Sequence, residues 1–91
     1  MEKKQLLLIE EEGYVINRVQ EVQSIHYLNT RYFGRYILAD VHIEVDSNIS
    51  VFEGHSIATR VKEEVISAIP EVMNLLVHVE PAGDFRANQG S

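Results

Sequence analysis

Among the four histidines of this chain, His42 and His78, together with Glu80, carry the spacing that could do chemistry. His78 and Glu80 are two residues apart, so on a strand they share one side, opposite Val77 and Val79. His42 lies in Asp40-Val41-His42-Ile43-Glu44-Val45-Asp46, where apolar and polar residues alternate strictly and the imidazole falls on the side of the carboxylates. If these strands are neighbours, two imidazoles and a carboxylate converge within reach of one ion. His26 precedes His42 by 16 residues, an even number, so a hairpin loop with an odd residue count around Phe33 to Arg35 sets the two opposite each other on the same face. His55 sits in the first turns of a helix and can reach over the sheet edge. Imidazole and carboxylate donors suit zinc (Zn2+), and also Co2+, Ni2+, Mn2+ and Fe2+. A lone strand histidine is ordinarily a solvated surface residue; their joint placement is what argues for a ligand set.

Other chemistry finds less support. The absence of cysteine removes thiolate metal sites, disulfides and thiol catalysis, and fits a reducing compartment. Ser24 and Ser56 have no nucleophile-elbow or oxyanion signature around them, so the chain does not read as an enzyme. With 14 acidic against 8 basic residues the formal charge is -6, and Lys and Arg are not clustered, which argues against a nucleic-acid partner. Glu10-Glu11-Glu12 reads as a solvated helix start favoured by the helix dipole. Asn48-Ile49-Ser50 matches a glycosylation sequon but reads better as a turn and cap. Tyr27, Tyr32, Phe33 and Tyr36 cluster at the hairpin, where cross-strand packing or a subunit contact explains them.

The elements that must position these residues follow from periodicity. Val15, Ile16, Val19 and Val22, with Leu8 before them, recur at helical spacing and predict a helix over residues 11–21, interrupted in pattern by Gly13. β-branched and aromatic residues from Ile25 to Tyr32, a turn at Phe33-Gly34-Arg35, and the alternation from Tyr36 to Asp46 predict a β-hairpin. Ser50-Val51-Phe52-Glu53 is a capping-box pattern opening a second helix. Val51, Ile57, Ala58, Val61, Val65, Ala68 and Ile69 supply its buried face, and Pro70 stops it. Leu75 to Glu80 alternates as a third strand. If strands two and three are neighbours, the intervening helix makes them parallel. The order is αββαβ, an α+β two-layer sandwich with two helices on one face of a three-stranded sheet. With 91 residues, 45% of them apolar, one domain over residues 11–81 is expected, with a lead-in over 1–10 and a disordered tail over 82–91. No run approaches the roughly 20 apolar residues of a membrane helix, and no signal-peptide layout is present.

From about Val15 to Pro81 the chain resembles the cytoplasmic C-terminal domain of cation diffusion facilitator transporters, exporters of zinc and related metals. The stretches that carry the likeness are Ile25-His26-Tyr27-Leu28-Asn29-Thr30-Arg31 with Gly34 after it, Asp40 to Asp46, Glu53-Gly54-His55-Ser56-Ile57-Ala58, and Val77-His78-Val79-Glu80-Pro81. Their order and spacing over most of the chain make the match specific. The resemblance implies a metallochaperone-like, ferredoxin-like-related fold forming a V-shaped homodimer beneath the transmembrane domain of the parent transporter, on the cytoplasmic side of the membrane. It implies that divalent metal ions draw the two subunits together and regulate transport, with ligands at His26, His42, His55, His78 and Glu80. The departure is Glu80, where the metal-bridging family residue is commonly aspartate; the extra methylene moves the carboxylate outward. The expected function is a soluble, regulatory metal-sensing and dimerisation domain, with zinc the leading ion. A freestanding cytosolic metal buffer or chaperone, and a metal-free dimerisation module, are the alternatives.

Overall fold

The computed structural model describes residues 12–83. Residues 12–17 are helical (α1), followed by strands β1 (Ser24–Phe33) and β2 (Tyr36–Val45), helix α2 (Val51–Ala68) and strand β3 (Val72–Pro81). The sheet order is β1-β2-β3, with β1 antiparallel and β3 parallel to the central β2. The αββαβ order, the α+β class and the parallel pairing across α2 are as expected. The lead-in over residues 1–10, with Leu8, lies outside the described residues. So does the expected disordered tail from residue 84 onward, while Ala82 and Gly83 turn at the end of β3.

Strict alternation in β2 decides which face is buried. Ile37, Ala39, Val41, Ile43 and Val45 are all buried, and the intervening residues point outward. Val15, Ile16, Val19 and Val22 from the first segment, and Ile57, Val61 and Val65 from α2, join the same core, so both helices cover one face. Ser50 caps α2 with both hydrogen bonds of the capping box: its hydroxyl accepts from the Glu53 N–H at 3.0 Å, and the Glu53 carboxylate accepts from the Ser50 N–H at 2.9 Å. The helix ends at Ala68, just before Pro70.

Several local expectations are corrected. The first helix stops at residue 17, short of Glu21. The chain then tightens into short turns, Arg18 N–H to Val15 O and Val22 N–H to Val19 O, which keep Val19 and Val22 in the core while redirecting the chain into β1. Glu12 is fully buried, unlike the solvated helix start expected, and the inward-facing Thr30 donates to its carboxylate at 3.1 Å, which offsets part of the cost of burying it. In α2, Val51 is 92% exposed and Ala68 is also exposed, while Gly54 takes the buried place, so the inner stripe runs Gly54, Ile57, Val61, Val65. β3 starts earlier than expected, at Val72. A register shift between Ile37 and Leu38 leaves Met73 as the extra residue there and hides this first part from a period-two reading.

The hairpin closes with Phe33 paired to Tyr36, so its loop is the two residues Gly34 and Arg35, not an odd number. Gly34 has φ of 62° and Arg35 has no positive φ, which fits the Gly-first II′ turn that matches strand twist. With that register Tyr27, not His26, faces His42. A bulge between Ile25 and Tyr27 then restores Ile25 opposite Ile43 on the core side and Ser24 opposite Glu44 on the outer side.

Candidate metal centre

The sheet face opposite the helices carries the titratable residues. Parallel pairing of β2 and β3 sets His42 beside His78 and Glu44 beside Glu80. The two imidazoles stack with ring centroids 4.4 Å apart and planes 26° from parallel. His42 Nδ1 lies 2.8 Å from Glu80 Oε2, and Tyr27 meets the His42 ring edge-on at 5.4 Å. His42, His78 and Glu80 are therefore brought together as expected.

His26 reaches the same face by a different route. As the extra residue of the bulge, it turns its Nε2 to Glu44 Oε2 at 2.8 Å, with Glu44 next to Glu80 across the ladder. Glu44 was not among the expected ligands. It also accepts from Ser24 Oγ at 2.7 Å and from the Gly83 N–H at 3.4 Å. The Ser24 hydrogen bond, helped by Gly83 and His26 against some desolvation, holds the Glu44 carboxyl below its ordinary pKa. A signal for Glu44 was present in the sequence, since it is two residues from His42 in a strictly alternating strand.

His55 is not brought into this group. It is exposed on α2, which covers the opposite face of the sheet. There it lines an open, mainly apolar groove of about 460 Å³ with Val45, Ile49, Ala58, Val79 and Pro81. Among the described residues, no three His, Asp or Glu side chains are arranged to hold an ion together. What the outer face offers is two His–carboxylate pairs, His42–Glu80 and His26–Glu44, with His78 stacked on the first. Among the described residues, no helix is long and apolar enough to cross a membrane.

Residues 9–82 match the family model described as cation efflux protein, cytoplasmic domain. The manganese efflux system protein MneP of Bacillus subtilis is 34% identical over 74 residues, which is 81% of this chain and 25% of that protein. Metal tolerance protein C1 of Arabidopsis thaliana is 34% identical over 67 residues, 74% of this chain and 14% of that protein. The chain thus spans a quarter or less of the length of these relatives. A solved MamM CTD aligns with a TM-score of 0.82 at 28% identity, covering 85% of this chain and 98% of that one. A MamM CTD variant in a nickel form aligns with a TM-score of 0.81 at 28% identity, covering 84% of this chain and 96% of that one.

Proposed function

This chain belongs to the family of cation efflux protein cytoplasmic domains, and on that premise we propose that it is the regulatory, metal-sensing and dimerising part of a divalent-cation efflux transporter. The observation that carries the reading is the His42–His78 stack with Glu80 at 2.8 Å from His42, on the sheet face opposite the described helices. The donor set fits a borderline ion: imidazole favours zinc, nickel and cobalt, whereas manganese favours carboxylate and carbonyl oxygen. Zinc is therefore the leading ion. MneP by its name handles manganese and one MamM CTD was solved in a nickel form, so both ions belong in the test. His42, His78 and Glu80 form the centre, His26 joins from the bulge, and His55, on the helical side, holds at most a separate weak ion.

Because no three of these side chains already enclose an ion among the described residues, the ion completes its shell either by rotation of the rings or with groups from a second copy. The latter couples metal binding to dimerisation. Calorimetric titration with zinc, nickel, cobalt and manganese, beside native mass spectrometry, tests the reading. The wild-type dimer is expected to take up zinc, and the double variant His42→Ala/His78→Ala to lose most tight binding. Unchanged stoichiometry and affinity in that variant would overturn the assignment. The missing enclosed shell favours one second reading, a dimerisation module whose histidines are incidental, and a wild-type protein indifferent to all four ions would establish it.

A further inference from the structure

Phe33 and Tyr36, the aromatic residues nearest the hairpin turn, take no part in the candidate ligand set and stand largely in water. Phe33 is 66% exposed and Tyr36, paired directly across from it, is 40% exposed, so both rings rise from the same side of the sheet beside the two-residue turn. Arg35, in that turn, holds its guanidinium 5.2 Å from the centre of the Tyr36 ring and donates from Nη2 to Tyr36 Oη at 3.2 Å. Met73, the extra residue of β3, is exposed at the same end, since Ile37 pairs with Val72. In a chain of net charge -6, residues 31–37 carry two arginines and no acid.

Exposed rings beside a guanidinium suit the surface of a lipid bilayer. An apolar ring enters between headgroups, a phenol stays at their level, and a guanidinium meets lipid phosphate with two parallel hydrogen bonds. The other exposed apolar pair, Val51 and Phe52, lacks this chemistry, because Asp46 and Glu53 flank it. It also lies at the opposite end, since β2 runs from the turn to Val45 before α2 begins. The path of the chain singles out the turn end as well. Glu12 accepts from Thr30, three residues before Phe33, whereas the Gln23 N–H bonds to the Glu44 carbonyl at the far end of the sheet. The chain therefore enters its described fold beside the hairpin turn.

We infer that the hairpin turn is a membrane contact, with Phe33 entering the bilayer interface and Arg35 meeting the phosphates of anionic lipid. This rests on the reading of the chain as part of a transporter whose membrane domain precedes it in sequence, and not on metal binding. The test adds vesicles of equal parts phosphatidylcholine and phosphatidylglycerol, carrying a headgroup spin label, to the metal-free chain and maps the paramagnetic relaxation of its amides by NMR. Relaxation is expected to be greatest at residues 33–36 and at Met73, and weak at residues 51–52. Arg35→Glu should lower it by about fivefold or more, as should vesicles of phosphatidylcholine alone, and Phe33→Ser should remove most of it. Both side chains are exposed, so the amide spectrum away from the turn should stay as in wild type. Relaxation absent, spread evenly, centred on residues 51–52, or indifferent to Arg35→Glu and to lipid charge would overturn the proposal. If a variant does not fold, the wild-type map on the two kinds of vesicle still decides it. A chain that binds no zinc but shows the expected map overturns the metal-sensing reading alone.

Discussion

His42, His78 and His55 carry different expectations because they sit on different sides of one sheet. His42 and His78 are stacked on the face opposite the helices, and His55 lies among apolar groove residues on the helical side. His42→Ala should therefore cost at least about tenfold in zinc affinity, while His55→Ala should leave the affinity of that face within about threefold and remove at most a separate weak ion. Isothermal titration of the two single variants checks this, and equal losses would mean that His55 shares the same ion. The shared side of His42, His78 and Glu80 was readable because period-two parity survives any uncertainty in strand ends. His26 was placed on the correct face by an incorrect argument. The sequence around Ile25-His26-Tyr27 contains no Gly or Pro to mark a bulge, and the Gly34-Arg35 turn is one residue shorter than the aromatic flank suggests. Glu12 was unreadable for another reason: its hydrogen-bond donor Thr30 is distant in sequence and becomes its neighbour only in the folded chain.

α2 is the element whose stability responds most simply to substitution. A Cβ added at Gly54 would meet Val79 Cγ1 at 3.7 Å and Ile49 Cδ1 at 3.9 Å, both ordinary contacts. Gly54→Ala should then stabilise the fold by about 0.5–1 kcal/mol, by removing backbone freedom that a helix-interior glycine loses on folding. Urea denaturation measures it, and a loss of stability would show that α2 sits closer to β3 than these distances allow. The segment after α1 is tied to α2 by Glu21 and Arg60, whose charged groups lie 2.9 Å apart. The hydrogen bond from Arg60 lowers the Glu21 pKa, so its contribution is present above the ordinary glutamate range, about 4.3, and is lost as pH falls through the lowered folded value. The melting-temperature gap between wild type and Glu21→Gln should close between pH 6 and pH 3, and shrink in 1 M salt at the higher pH. A gap constant with pH would locate the effect elsewhere. The existence and order of the elements were readable from periodicity, the capping box and Pro70. The end of α1 was not, because Val19 and Val22 continue the apolar spacing through turns that are no longer α-helical.

For the whole molecule the charge of -6 sets the expectation. Two copies repel each other, and divalent ions held by one or both of them offset that repulsion, so zinc should compact the dimer. It should also stabilise it by about 2.7 kcal/mol when free zinc is roughly 100 times the dissociation constant. Protonated imidazole has no lone pair to give, so both effects should be weaker at pH 5.5 than at pH 7.5. Small-angle scattering and thermal melts with and without zinc at the two pH values check this. A monomer at micromolar concentration, or a dimer indifferent to zinc at pH 7.5, would remove the switch.

The bulge in β1 separates what the sheet needs from what its outer face carries. Deleting His26 would leave Ser24 facing Glu44 and Ile25 facing Ile43 with Tyr27 still on His42, so the hairpin would close without rearranging. The histidine at that point is thus an insertion whose loss the strand pairing tolerates. Strand pairing does not oppose the change, so the side chain at this point can be altered without altering the core.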